Sequence, residues 1–139
     1  MTDRDQAAQE RWRKTCDAVT LAMKIYTKPF ISPLSRERED SVRHVGTGSF
    51  INWAGRTLLL TCEHVDAEGP LNFSFHGSDN VFAITDRFKS DRDLDAAFVS
   101  VGDAQWNACL HQAMRIPSVC VAGQHKPTRD EELHFFHGF

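Results

Sequence analysis

Residues 46–62, with the sequence GTGSFINWAGRTLLLTC, decide the fold of this chain. Two runs rich in Phe, Ile, Thr and Leu flank Asn52–Gly55, where Gly55 stands at a position that favours a positive φ. Apolar runs of this length on either side of a short turn are typical of a β-hairpin. We therefore expect strands at about His44–Asn52 and Arg56–Cys62.

Further strands are predicted downstream, at about Leu71–His76, Val81–Arg87 and Ala96–Val101, because the same composition recurs between turn residues. Short strands joined by tight turns favour an antiparallel β-barrel or sandwich over a βαβ sheet, and we expect the barrel. A short helix over Asp103–Met114 and a last strand over Leu133–Phe136 complete the expected elements.

The N-terminal segment has a helical period instead. Over about Asp3–Tyr26, apolar side chains recur every three or four residues and so lie on one face of an amphipathic α-helix. Asp3 is expected to cap its N-terminus, with Gln6 reaching back to the cap. We expect the apolar stripe to pack on the β-domain rather than to dock a partner. The stripe consists of Ala8, Trp12, Cys16, Val19 and Met23.

These patterns divide the chain into three segments. Residues 1–28 form the N-terminal helix, and residues 42–139 form the β-domain. Between them, residues 29–41 are expected to be a linker, since prolines and the mixed charge run Arg36–Asp40 are typical of a solvated loop.

The composition limits the function classes. A chain of 139 residues is the length of one domain, and its net charge of −3 argues against a nucleic-acid partner. The longest apolar run, Leu58–Leu60, is too short for a membrane span, and no signal-peptide pattern opens the chain. We therefore expect a cytoplasmic protein without a cofactor, whose cysteines are all free thiols. The cysteines are Cys16, Cys62, Cys109 and Cys120.

One histidine and one aspartate stand out by their positions. His64 lies where an apolar strand ends, and Asp95 directly precedes another. A carboxylate that accepts a hydrogen bond from one ring nitrogen of histidine fixes the tautomer and leaves the other nitrogen free to take a proton. The pair is therefore a candidate general base with its orienting carboxylate. Asp91 and Asp93 alternate with Asp95 and remain rivals for that position.

The flanks of this pair resemble a known family. The G-T-G run, followed by T-C-E-H at residues 61–64 and D-A-A-F-V at residues 95–99, is similar to the first half of trypsin-like serine peptidases, nearest to the bacterial intracellular and HtrA-like forms. The resemblance implies that His64 is the general base and Asp95 its orienter, in the first β-barrel of a serine endopeptidase (a hydrolase) that cleaves peptide or protein substrates. It covers about Val42–Phe139, whose last residues look like the start of the second barrel.

The chain also departs from the family pattern. Cys62–Glu63 replaces two small residues, and Val65 replaces the half-cystine of secreted forms. The family's serine lies in a G-x-S-G-G turn of the second barrel, and neither Gly48-Ser49 nor Gly77-Ser78 has that context. The expectation is an N-terminal half without its nucleophile, inactive alone and prone to self-association through the face that a second barrel would cover. The alternative is a non-catalytic β-barrel interaction module of the same architecture.

A metal site is a further alternative. Cys62 and His64 are two residues apart, so on a strand their side chains point the same way and could bind one metal ion. Cys120 or His76 would then be a further ligand from a distant part of the chain. The expectation from the sequence remains that the chain holds no metal.

Two other pairs are not assigned chemistry. His134 and His137 are spaced like ligands on a helix, but they fall in an expected strand and are interpreted as surface residues. Cys109 and Cys120 lack the Gly-rich turn that a cysteine nucleophile would need.

Overall fold

The computed structural model describes residues 2–121 and residue 138. The expected strand Leu133–Phe136, together with His134 and His137, lies outside the described residues. In chain order, the elements are α1 (Asp3–Thr27), a 3-10 turn (Lys28–Phe30), β1 (Ile31–Arg38), β2 (Ser41–Trp53), β3 (Arg56–Thr61), α2 (Glu63–Asp66), β4 (Asn72–Ser74), β5 (Val81–Ala83), β6 (Lys89–Asp91), β7 (Ala96–Val101), α3 (Asp103–Trp106) and a second 3-10 turn (Ser118–Cys120).

The strands form one antiparallel sheet in the order β5-β4-β1-β2-β3-β7-β6. A mainly β domain with an N-terminal helix is therefore confirmed. Among the described residues the hydrogen-bonded ladder stays open, with β5 and β6 as its edges. The β2–β3 hairpin turns at Ala54 and Gly55, whose φ angles of 49° and 77° are both positive, as a type I′ turn requires.

The prediction of a linker over residues 29–41 is wrong, because residues 31–38 form β1, which lies between β4 and β2 in the sheet. Ile31 and Leu34 are buried in the core, and this burial holds β1 in the sheet although its C-terminal half is charged. Ser32 is also buried, and its hydroxyl donates to the carbonyl of Ser74 at 2.7 Å and accepts from the Ser74 N–H at 3.1 Å. The Ser32 side chain therefore links β1 to Ser74 of β4, next to Pro33, which has no backbone N–H to donate to the sheet.

Aromatic rings fill the core between the sheet and the segment that follows β7. Phe50, Phe73 and Phe75 are fully buried, with ring centroids 5.2–6.0 Å apart. The ring of Trp106 lies edge-on to Phe50 and Phe75, and the imidazole of His111 stacks on Phe75 at 4.1 Å. Tilted and edge-to-face pairs at these separations add to the stabilisation that burial provides.

The helix predicted over Asp103–Met114 is wrong beyond its first turn. α3 ends at Trp106, because His111 accepts from the N–H of Ala113 and bonds the carbonyl of Trp106 through its other ring nitrogen. The backbone N–H groups of the following residues are also used elsewhere, since that of Gln112 donates to the carbonyl of His76.

The N-terminal helix is confirmed over Asp3–Thr27, but two details differ. Thr2 rather than Asp3 caps it, in a reciprocal capping box with Asp5. The expected packing of its apolar stripe is also wrong for the described residues, where no residue of α1 is buried and Trp12 is 62% exposed. No helix within the described part of the chain has the length and apolar character needed to cross a membrane.

Candidate functional site

His64 and Asp95 contact each other as predicted. The Nδ1 atom of His64 lies 2.7 Å from Oδ2 and 2.9 Å from Oδ1 of Asp95. The backbone N–H of His64 donates to the same carboxylate at 3.0 Å. The side chain and the backbone N–H of His64 therefore both contact the Asp95 carboxylate, which fixes the orientation of the ring.

The G-T-G run positions the helix that carries His64. Thr61, the last residue of β3, is buried and donates its hydroxyl to the carbonyl of Thr47 at 3.0 Å. A Cβ on Gly46 would lie 3.0 Å from both methyl groups of Val65, the core residue of α2. Because Gly46 has no side chain, α2 can pack directly on β2, and His64 is held where β3 ends.

Arg36 on β1 holds the other end of α2. Its guanidinium donates to the carbonyls of Val65 at 2.9 Å and Gly69 at 3.2 Å, and lies 3.3 Å from a carboxylate oxygen of Glu68. Those carbonyls have no helical partner at the end of a short helix, so the guanidinium satisfies them. In the sequence, Arg36 begins a charge run that predicts a solvated loop, so its contact with α2 was missed together with strand β1.

Asp95 is the carboxylate that reaches His64, and its two rivals do not take that position. Its backbone has a φ of 49°, a left-handed conformation that aspartate tolerates better than most residues. Asp91 instead accepts from the N–H groups of Asp93 and Leu94, which closes the turn leading to Asp95. The turn and the positive φ together aim the Asp95 carboxylate at His64 from the start of β7.

Hydrogen bonds favour the ionised form of Asp95. The backbone N–H of His64, followed by its side chain, holds the pKa of this carboxyl below its ordinary value. The site lies on an open surface, with the His64 side chain 68% exposed and that of Asp95 49% exposed. An ionised carboxylate on Nδ1 leaves Nε2 as the ring nitrogen that can exchange a proton with a ligand.

Cys62 joins this pair. Its sulfur, a ring nitrogen of His64 and a carboxylate oxygen of Asp95 all lie within 4.8 Å of one another, and all three residues are exposed. Neither Cys120 nor His76, the distant ligands considered from the sequence, belongs to this group among the described residues. The expectation that Cys62 and His64 share a strand is wrong, because Cys62 is the N-cap of α2 and His64 lies within that helix. Their approach to Asp95 depends on where α2 lies. All four cysteines are free thiols in the structure.

No protein-family model, curated protein or solved structure matches this chain. The interpretation of the site therefore depends on the motifs and on the geometry described above.

Proposed function

We propose that this chain is the first-barrel half of a trypsin-like serine endopeptidase, in which His64 is the general base and Asp95 its orienting carboxylate. The observation that carries the proposal is the 2.7 Å contact between Nδ1 of His64 and Oδ2 of Asp95, made by the two residues that the motifs single out. The backbone contact from His64 to the same carboxylate supports a held orientation rather than a chance surface pair.

The chemistry follows from the ring geometry. Nδ1–H of His64 donates to Asp95, so Nε2 carries the lone pair that takes the proton of a serine hydroxyl as its oxygen attacks the scissile carbonyl. The imidazolium formed at His64 is stabilised by the carboxylate and then delivers the proton to the leaving amine. In this proposal the serine and the oxyanion donors belong to a second barrel that packs on this one.

The strand order supports a barrel. β5 and β6 are the two edges of the sheet formed by the described residues, yet they are consecutive in the chain and separated only by residues 84–88. The six Cα–Cα steps from Ala83 to Lys89 span at most about 22 Å, which is less than the roughly 29 Å across a flat seven-stranded sheet, so this connection favours a curved sheet. We propose that β5 and β6 act as one bent strand that completes the first barrel.

The outer face of β3 and β7 offers a surface for the second barrel. Leu60 and Phe98 are cross-strand partners, and both side chains are exposed on this face. Contiguous exposed apolar patches mark association sites, and the proposal places Leu60 and Phe98 at the centre of such a patch. In the 139-residue chain alone, the proposal assigns the same face to self-association.

The test uses the protein translated from the whole reading frame that encodes these residues. A fluorophosphonate probe should label a serine downstream of residue 139, as the serine oxygen displaces fluoride from phosphorus and His64 takes the proton. Asp95→Asn should slow labelling by about 10⁴-fold, because the ring then loses its tautomer and orientation. Asp93→Asn is the matched control, since Asp93 shares the loop but not the contact, and it should label normally.

The open position of the site favours one other function. Because His64 and Asp95 are largely exposed, a non-catalytic β-barrel interaction module is the second candidate. The same experiment separates the two functions. Absence of labelling, or equal labelling of the Asp95→Asn and Asp93→Asn variants, would contradict the peptidase and favour the interaction module.

A further inference from the structure

We propose that Cys62, His64 and Asp95 form a binding site for Zn²⁺. The proposal stands on the grouping of a sulfur, a nitrogen and an oxygen ligand at the junction of β3, α2 and β7. It does not depend on the peptidase function, since the three side chains would bind a metal in a module as well.

The separations suit a tetrahedral ion. Zinc bonds of about 2.0–2.3 Å place neighbouring ligand atoms roughly 3.5 Å apart. The three atoms now lie within 4.8 Å of one another, so side-chain rotations on the order of 1 Å bring them to ligand distances. All three side chains are exposed, so these rotations displace water rather than core residues. A fourth position stays open to solvent, as in zinc sites with three protein ligands.

The donor types select the metal. Thiolate and imidazole ligands favour Zn²⁺ and other borderline or soft ions over Mg²⁺ and Ca²⁺, which prefer oxygen. On binding, the Cys62 thiol releases its proton to the buffer and the sulfur forms the metal bond, with no change in oxidation state. Asp95 offers a carboxylate oxygen as the third ligand.

Zinc binding and general-base catalysis exclude each other at this site. A ring nitrogen of His64 and a carboxylate oxygen of Asp95 used for the metal are withdrawn from the His64–Asp95 contact. This consequence, unlike the site itself, rests on the proposed function, and it predicts that zinc inhibits the peptidase.

The first test measures Zn²⁺ binding by titration calorimetry on the metal-stripped 139-residue chain. We expect one equivalent to bind, and the affinity to fall by about 100-fold or more in Cys62→Ser. Cys120→Ser removes the other exposed cysteine and should bind as the unmodified chain does. Far-UV circular dichroism checks that each variant folds. Equal affinity of Cys62→Ser and Cys120→Ser, or no binding by the unmodified chain, would overturn the proposal.

A second test needs no variant. Iodoacetamide alkylates Cys62 and Cys120 in the same sample, and peptide mass spectrometry measures both rates. Zn²⁺ should slow alkylation of Cys62 by about tenfold or more and leave Cys120 unchanged, because only the thiolate bound to the metal is protected. Mg²⁺ at the same concentration should protect neither. Equal effects of Zn²⁺ on both cysteines would show that the site is not formed.

Discussion

Substitution of Gly48 by alanine tests whether the hairpin packs as described. A Cβ at this position would lie 2.6 Å from Cδ1 and 3.3 Å from Cγ of Leu59, and 3.4 Å from the carbonyl oxygen of Leu60. Leu59 is fully buried in the core, so its side chain has little room to move away. We expect Gly48→Ala to lower the free energy of unfolding by about 1–3 kcal/mol through overpacking.

A double-mutant cycle separates this clash from other effects. Leu59→Ala alone should cost about 2–5 kcal/mol, because it leaves a cavity in the core. In the double variant the new methyl group occupies space that Leu59 vacated, so the combined loss should be smaller than the sum by roughly 1–2 kcal/mol. Urea unfolding followed by circular dichroism measures each value.

The control for backbone effects is Gly102→Ala. No atom lies within 4 Å of a Cβ built on Gly102, and its φ of −68° suits alanine. Because Gly102 is the N-cap of α3 and alanine is a weaker N-cap than glycine, this variant should lower the free energy of unfolding by no more than about 1 kcal/mol. If the losses of Gly48→Ala and Leu59→Ala add to within about 0.5 kcal/mol in the double variant, the reasoning is refuted, because independent sites behave in that way.

Three further predictions concern the site and its surroundings. Arg36→Gln should speed amide hydrogen exchange in α2, because the guanidinium contacts with the Val65 and Gly69 carbonyls are lost. The matched control Arg38→Gln changes an exposed side chain and should leave this exchange unchanged. Equal exchange in both variants would show that Arg36 does not position α2. The pKa of Asp95, followed by carboxyl ¹³C NMR, should lie below the usual value of about 3.9. The ionised carboxylate therefore stabilises the fold above the pKa of the unfolded chain, and this stabilisation is lost as the pH falls through the lowered pKa of the folded chain. His64→Ala should raise that pKa only in part, because the backbone N–H remains, and an ordinary pKa in the unmodified chain would contradict the contact. Phe98→Lys should weaken self-association of the 139-residue chain in light scattering, and an unchanged particle size would place any association on another surface.

The sequence predicted the elements whose apolar pattern is local. α1 has helical period throughout, and the predicted bounds of β7, Ala96–Val101, are those of the strand in the structure. β1 was missed because only Ile31, Ser32 and Leu34 are buried, and the rest of the strand resembles a charged loop. Its place in the sheet depends on pairing with β2, which no local pattern contains.

The candidate site shows the same division. The motifs around His64 and Asp95 predicted their contact. Both residues lie at the end of an apolar strand, in motifs that resemble those of the trypsin-like family. The role of Arg36 was not predictable, since it depends on the path of the chain after α2. The approach of Cys62 to Asp95 was missed for a related reason: residues 33 positions apart meet only through the pairing of β3 with β7.

The most direct test of the central claim is the tautomer of His64, measured by ¹⁵N NMR on the 139-residue chain at mildly alkaline pH, where free imidazole is neutral. We predict that Nδ1 carries the proton and that Nε2 is the unprotonated, pyridine-type nitrogen, because an ionised Asp95 carboxylate, which can only accept, lies 2.7 Å from Nδ1. Asp95→Asn should weaken this preference, and Asp93→Asn should retain it. A proton found mainly on Nε2 in the unmodified chain would contradict the claim that Asp95 prepares His64 to act as a general base.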